Sequence, residues 1–184
     1  VTDTGGVDDK SFNQSAWEGL QEWGKANKLK KDSGFTYFQS NSESDFANNM
    51  SAAQSQGYNL IFGVGFALHD AVSDAAKEHE DVNYVIIDDV IKDQKNVESV
   101  LFADNEGAYL AGIAAGMKLN EMIDNGEITA DEAKMGYVGA YTYAEVISGY
   151  TSFFLGARSV CPTVTMDVTF TGSWYDETAE KEGA

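Results

Sequence analysis

Short runs of β-forming residues alternate with helix-type runs from one end of this 184-residue chain to the other. This order is typical of parallel sheets covered by helices. Residues 84–87, Tyr-Val-Ile-Ile, are apolar at every position, as expected of a strand buried on both faces. The sequence therefore predicts an α/β protein.

The apolar periodicity divides the chain into predicted elements. After the end of a strand at residues 1–3, strands are predicted at residues 35–39, 59–64, 83–88, 97–104, 135–139 and 165–171. Helices are predicted at residues 11–27, 44–56, 67–78, 106–123 and 143–160, with another beginning near Asp176. Ser11 and Gln14 have the spacing of a capping box at the start of the first helix. Residues 106–123 are rich in glycine and alanine, which predicts that a partner helix packs very close.

The pattern also predicts two lobes built alike. Residues 124–134 are the most polar stretch, and the alternation of strands and helices starts again after it. We predict a first α/β lobe at residues 1–105, a crossover helix and linker at 106–133, and the beginning of a second α/β lobe at 134–184. Both ends read as interrupted elements, so we expect a piece of a longer protein with an incomplete second lobe. Such a piece is expected to bind ligand weakly or not at all, and to self-associate through the exposed edge of that lobe.

The charge balance excludes some partners. Thirty acidic residues outnumber twelve basic ones, for a net charge of -18 and a sequence pI near 4.2. Because a field of that sign repels phosphate backbones, we expect no nucleic-acid partner. Cys161, the single cysteine, and the two histidines do not suffice for an intrachain disulfide or a four-ligand zinc site. We expect no metal site and no cofactor.

Aromatic and polar residues crowd the loops where ligands of open parallel sheets bind, beyond the carboxyl ends of the strands. Spacing alone favours Phe12 as a core residue of the first helix, whereas its position near Asp3 and Asn13 favours a ligand site. Phe66, after the third strand, and Tyr150, on a helix of the second half, are the other rings of this set. A flat ligand held against rings, with carboxylates accepting its N–H and hydroxyl protons, fits these residues.

Two other chemistries remain open at the same loops. Gly5 and Gly6 follow a strand end, as in phosphate-binding loops, but the sequence has no GxGxxG or Gly-Lys-Ser/Thr pattern there. A magnesium-dependent phosphotransfer or receiver-like domain would use Lys10 and clustered acids, namely Asp3, Asp8, Asp9, Asp88 and Asp89. A plainer interpretation is that the acids before the first helix favour its N-terminus. No Ser/His/Asp or Cys/His set is apparent, and we predict that the chain is not an enzyme.

Several runs of the sequence resemble one protein family. They are residues 1–14 (VTDTGGVDDKSFNQ), 63–66 (GVGF), 85–89 (VIIDD), 102–112 (FADNEGAYLAG), 136–139 (GYVG) and 172–176 (GSWYD). Together they span essentially the whole chain and resemble the basic membrane protein family of ABC-transporter substrate-binding lipoproteins, which includes nucleoside-binding proteins of the PnrA type. The resemblance implies a type I periplasmic-binding-protein fold, in which two Rossmann-like lobes hold a ligand in the cleft between them.

The resemblance also implies a ligand and its contacts. Family members bind purine nucleosides with the base between an aromatic ring from each lobe. By position, Phe12 resembles the first-lobe ring, and Asp3, Asn13 and Asp104 fall where family members contact the nucleoside. Tyr150 resembles the second-lobe ring, although Gly149 stands where the family commonly has arginine, and tyrosine stands where it has phenylalanine. The acid and lysine that bind the ribose in the family would lie beyond Ala184.

The resemblance finally implies a setting for the protein. We expect a receptor that delivers its solute to an ABC permease, at the extracellular face of the cell membrane or in the periplasm, with a lipid anchor in the full-length parent. A ligand-sensing regulatory domain on the same fold is the alternative that the sequence does not separate from transport.

Overall fold

The computed structural model describes residues 1–174 and 176–183. The chain divides into two compact units, Val1–Phe102 and Ala103–Ala184. The limits of the lobes in the whole protein stay a prediction. Tyr175, which belongs to the resemblance, and Ala184 lie outside the described residues.

The first unit is a parallel sheet with helices. Its helices are α1 (Phe12–Ala26), α2 (Phe46–Ser55) and α3 (His69–Glu78), and its strands are β1 (Leu60–Val64), β2 (Asn83–Ile87) and β3 (Val97–Val100). The strand order is β1-β2-β3, with both pairs parallel. Each of the three strands therefore ends at the same edge of the sheet.

The core of the first unit lies between this sheet and the pair α2 and α3. Met50, Val72 and Ile86 are fully buried there, and so is Tyr84 of β2. The Tyr84 hydroxyl accepts a hydrogen bond from Gln54 at 2.5 Å and donates one to the carbonyl of Ala75 at 3.3 Å. The apolar run at residues 84–87 forms the middle strand of this sheet. Tyr84 and Ile86 are buried on one face, whereas Val85 and Ile87 on the other face are half-buried, so the predicted burial on both faces is only partly met.

Residues 1–3 lie between β1 and residues 35–39. The Val1 amino group donates to the carbonyl of Phe62 at 2.7 Å, and the Val64 N–H donates to the carbonyl of Val1 at 3.1 Å. On the other side, the Thr2 N–H donates to the carbonyl of Phe38 at 3.0 Å. The prediction of strands at residues 1–3 and 35–39 is wrong, because neither segment forms a regular strand. Residues 1–3 are too short to offer residues 35–39 the hydrogen bonds of a continuous ladder.

The second unit has a smaller parallel sheet than the first. It contains α4 (Asp104–Asp124), β4 (Lys134–Gly139), α5 (Ala144–Val160), β5 (Thr165–Phe170) and α6 (Glu177–Gly183). Strands β4 and β5 are parallel and in register from Lys134 opposite Thr165 to Gly139 opposite Phe170. The strand predicted at residues 97–104 ends at Val100, because its partner β2 ends at Ile87, and Asp104 begins α4 instead.

Helices α4 and α5 pack through glycines, as the small-residue pattern predicts. A Cβ atom at Gly112 would overlap the carbonyl oxygen of Phe153, and one at Gly156 would overlap that of Tyr109. At Gly116 the added atom would lie 2.5 Å from the carbonyl oxygen of Ala157. The two helix backbones are therefore in direct contact, with no room for side chains at these points.

Candidate functional site

A hydrogen-bonded loop lies at the carboxyl edge of the first unit, between residues 1–3 and α1. The Asp3 Oδ1 atom accepts hydrogen bonds from the Gly5 N–H at 2.8 Å and from Asn13 Nδ2 at 2.6 Å. The Asp3 N–H in turn donates to Asn13 Oδ1 at 3.2 Å. Asn13 is 2% exposed. Its buried amide is therefore hydrogen-bonded to both the backbone and the side chain of Asp3.

The start of α1 is capped by Asp9. The Asp9 carboxylate accepts hydrogen bonds from the backbone N–H groups of Ser11, Asn13 and Gln14 at 2.9–3.0 Å, and from Asn13 Nδ2 at 2.9 Å. The predicted capping box is wrong, since the Ser11 side chain makes no capping hydrogen bond. Burial alone would raise the pKa of Asp9, but the N–H donors outweigh it and hold that pKa below its ordinary value.

We expect Asp9→Ala to lower the free energy of unfolding by about 1–2 kcal/mol, because the N–H groups of Ser11, Asn13 and Gln14 at the start of α1 lose their acceptor. The folded-state pKa is depressed, so this stabilisation is present above the unfolded value, near 3.8, and is lost as the pH falls through the folded value. Urea denaturation from neutral pH downward measures both effects. Ser11→Ala is the matched control and should change stability by less than about 0.5 kcal/mol. Equal costs for the two variants would contradict the assignment of the cap.

The second oxygen of Asp3 and the aromatic ring of Phe12 both lie beside Gly65. A Cβ atom at Gly65 would lie 3.6 Å from Asp3 Oδ2 and 3.7 Å from Phe12 Cε1, so both groups border the same point. Gly65 has a φ of 107°, a conformation that disfavours other residues. Among the described residues, Asp3 Oδ2 has no hydrogen-bond partner. In the described part of the chain, a carboxylate oxygen without a hydrogen-bond partner and the edge of an exposed ring therefore lie beside the same glycine.

Phe12 lies at the first position of α1 and is 36% exposed. The alternative that it is a core residue does not fit this exposure. Phe66, half-buried, follows Gly65 at the end of β1. The structure therefore brings Asp3, Phe12 and Asn13 together beside the loop that carries Phe66, all within the first unit.

Asp104 and Tyr150 belong to the second unit. Asp104 is exposed at the N-terminus of α4. Tyr150 is half-buried on α5, with its ring centroid 5.4 Å from that of Tyr137 and 6.2 Å from that of Phe170. Much of the Tyr150 ring is thus engaged in packing against the sheet of its own unit.

Two features of these edges were missed by the sequence analysis. His69 Nδ1 lies 2.5 Å from Asp89 Oδ2, which connects the start of α3 to the loop after β2. In the second unit, Tyr141, Tyr143 and Trp174 form a cluster of rings after β4 and β5. The sequence analysis had already noted aromatic residues in the loops beyond the strand ends, but it did not predict that rings from two separate loops contact each other.

The acidic residues do not form a metal centre in the described part of the chain, where no group of three or more potential metal ligands occurs. The Asp9 carboxylate accepts hydrogen bonds from the start of α1, and one oxygen of Asp3 accepts hydrogen bonds from Gly5 and Asn13. Nor does any described helix have the length and apolar character needed to cross a membrane.

The parallel α/β units and their polar carboxyl edges are features of a class of solute-binding proteins. A solved solute-binding protein of an ABC transporter system from Aeropyrum pernix K1 superposes with a TM-score of 0.81 at 27% identity, over 98% of this chain and 49% of that one. The fold is the type I solute-binding fold that the sequence predicts.

The model of the family described as ABC transporter substrate-binding protein PnrA-like matches residues 1–184, and the chain belongs to this family. The ABC transporter nucleoside-binding protein BmpA of Lactococcus lactis subsp. cremoris is 49% identical over 96% of this chain and 47% of its own length. A purine-binding protein of Brucella abortus is a more distant relative, 31% identical over 70% of this chain and 33% of its own length. The family is one of binding proteins and not of enzymes, which confirms that prediction. The chain spans about half the length of the curated relatives it matches.

Proposed function

We propose that the whole protein containing this chain is a receptor of an ABC importer and binds a purine nucleoside. The observation that supports this most directly is the convergence of Asp3 Oδ2 and the exposed Phe12 ring beside Gly65. A ring face suits a planar base, and a carboxylate oxygen suits an N–H or hydroxyl donor of the same ligand. The relatives named as nucleoside-binding and purine-binding support the same class of ligand.

Each predicted contact residue has a proposed role. Phe12 stacks on the base, and Asp3 accepts a hydrogen bond from the ligand. Asn13 is a positioning residue, because its buried amide already holds Asp3 and Asp9. Further proposed contacts are Phe66, because of its ring in the loop after β1, and Asp104 and Tyr150, which the family resemblance implies.

The charge of the chain favours an uncharged ligand. With a net charge of -18 and an acidic residue in the site, a nucleoside is favoured over a nucleotide, because phosphate groups would be repelled. An ABC permease is the proposed membrane partner, and a lipid-anchored protein at the extracellular face of the membrane or in the periplasm is the proposed setting. Transport is proposed over sensing because the family's description names a transporter component.

The test is calorimetry on the whole protein with inosine, adenosine and guanosine, each beside ribose and the corresponding monophosphate. We expect saturable binding of at least one nucleoside, with ribose and the monophosphates binding far more weakly. If no nucleoside binds, the proposal is wrong. Binding of a monophosphate as tight as that of its nucleoside would contradict the electrostatic argument.

Phe12→Ala should weaken nucleoside binding by about 1–3 kcal/mol, the typical contribution of stacking between a base and an aromatic ring. Phe12→Leu keeps the apolar bulk without the ring, so it should lose nearly as much affinity if stacking is the interaction. Both affinities are measured by the same calorimetric titration. Unchanged affinity in Phe12→Ala would remove this ring from the site.

A further inference from the structure

A histidine and a carboxylate join two segments at the carboxyl edge of the first unit. His69 is the first residue of α3, and Asp89 is the second residue after β2. His69 Nδ1 lies 2.5 Å from Asp89 Oδ2, and the two side chains are 43% and 26% exposed. A carboxylate accepts hydrogen bonds, so the Nδ1–H group of the histidine is the donor. We call these two residues the His–Asp pair.

The Asp89 end of the pair is held by its own loop. Asp89 Oδ1 accepts a hydrogen bond from the Val90 N–H at 2.6 Å, while Oδ2 is the oxygen that His69 reaches. The preceding residue, Asp88, has a φ of 68°, and its N–H donates to the carbonyl of Val100 at 2.7 Å. This left-handed conformation turns the chain at the end of β2. The carboxylate therefore stands on a loop that is hydrogen-bonded to β3.

The His69 end of the pair adjoins the turn on which Phe66 lies. The Leu68 N–H donates to the carbonyl of Gly65 at 3.1 Å, and the His69 N–H donates to that of Phe66. These bonds form a single 3₁₀ turn between the end of β1 and the start of α3. At its beginning the turn is bonded to β2, because the Gly65 N–H donates to the carbonyl of Ile87 at 3.2 Å. The His–Asp pair is a second attachment, at the other end of the same turn.

This turn borders the atoms of the candidate site. A Cβ atom at Gly65 would lie 3.6 Å from Asp3 Oδ2 and 3.7 Å from Phe12 Cε1. Only one short turn separates Gly65 from His69. A displacement of His69 would therefore move the backbone of the turn and change the space beside Asp3 and Phe12.

The position of α3 in the core does not depend on the His–Asp pair. Leu68 and Val72 are fully buried and belong to the same core cluster as Ile86 of β2. A partly exposed pair of this kind contributes little to the stability of a fold. We therefore expect loss of the pair to affect the turn and the site more than the global stability.

We propose that His69 and Asp89 are positioning residues for the ligand site. Their hydrogen bond fixes the turn that carries Phe66 at the place beside Asp3 and Phe12 where the ligand binds. This inference rests on the proposed function, since it concerns the same purine-nucleoside site. The role requires no contact between His69 and the ligand.

The test is calorimetry on the whole protein, with the nucleoside that binds best to the unchanged protein. His69→Ala removes the donor and should weaken binding about 2- to 30-fold, the range for residues that act on a site without touching its ligand. His69→Asn places an amide N–H where Nδ1 lies and should recover most of the affinity. His69→Gln places its amide farther from the backbone, near the position of Nε2, and should not recover it.

His79→Ala is the matched control, because it makes the same chemical change at the opposite end of α3. His79 is half-buried directly after the last residue of the helix, and its loss should leave the affinity unchanged. A thermal melt of every variant checks that the fold is retained. A double-mutant cycle then measures the pair itself. His69→Ala with Asp89→Ala should bind no more weakly than Asp89→Ala alone, since the donor has already lost its acceptor.

The outcomes separate this inference from the proposed function. Weaker binding in His69→Ala and His69→Gln, with recovery in His69→Asn, supports the inference. An affinity in His69→Asn no higher than that in His69→Gln overturns it, whether or not His69→Ala folds. Additive losses in the double-mutant cycle also overturn it, and both results leave the proposed function intact. If the unchanged, folded protein binds no nucleoside, the proposed function is wrong and this inference is wrong with it.

Discussion

Gly112→Ala should lower the free energy of unfolding by about 3 kcal/mol or more, at the upper end of overpacking effects. The added methyl group would overlap the carbonyl oxygen of Phe153, which is backbone and has no rotamer to change. The helices α4 and α5 would have to separate, and the reciprocal contact of Gly156 with Tyr109 would open with them. Urea denaturation of the 184-residue chain followed by circular dichroism measures the effect.

Gly107→Ala is the control on the same helix. An added Cβ atom at Gly107 meets no atom within 4 Å, so the substitution should stabilise α4 by about 0.5–1 kcal/mol through its higher helix propensity. The two substitutions are chemically identical and are predicted to act in opposite directions. Equal effects would show that the backbones are not in contact at Gly112.

Asp3→Asn should abolish most nucleoside affinity while leaving the fold intact. The amide oxygen of the new side chain can accept the hydrogen bonds from Gly5 and Asn13 that Oδ1 accepts now. Its NH2 group then replaces Oδ2 beside Phe12 and presents donors to the ligand where an acceptor is required. We expect a loss of about 1.5–3 kcal/mol of binding free energy, measured by calorimetry on the whole protein.

Asp8→Asn controls for the loss of one negative charge from the same loop. Asp8 is exposed, and its substitution should change nucleoside affinity little. A thermal melt of both variants checks that the fold is retained. If Asp3→Asn binds as well as Asp8→Asn does, the ligand-facing role of Asp3 Oδ2 is refuted.

Much of the fold was predictable because long helices and buried strands leave strong periodic patterns. The helix predicted at residues 11–27 is α1, and the apolar run at 84–87 is the central part of β2. The pattern at residues 35–39 predicted a strand that does not form, since strand pairing depends on a neighbour that the local sequence does not describe. The boundary near Asp104 was missed for a related reason: β3 ends where its partner ends.

The site was predictable in part. The loop rule for parallel sheets and the family resemblance together selected Asp3, Phe12 and Asn13, which the structure brings together. Neither the loop rule nor the resemblance predicted that Asn13 is buried while Phe12 is exposed. The side-chain amide of Asn13 donates hydrogen bonds to Asp3 and Asp9. Residue type and spacing in the sequence do not predict these hydrogen bonds, because they depend on the folded structure. The contacts among the rings of Tyr141, Tyr143 and Trp174 were not predicted, because these rings come from two loops far apart in the sequence.

A crystal structure of the whole protein with a bound purine nucleoside tests the central claim most directly. The account predicts the base within about 3.5–4 Å of the Phe12 ring, at van der Waals contact. It also predicts a ligand N–H or hydroxyl group within about 3.2 Å of Asp3 Oδ2. A nucleoside bound elsewhere, with Phe12 and Asp3 Oδ2 still facing solvent, would contradict the account.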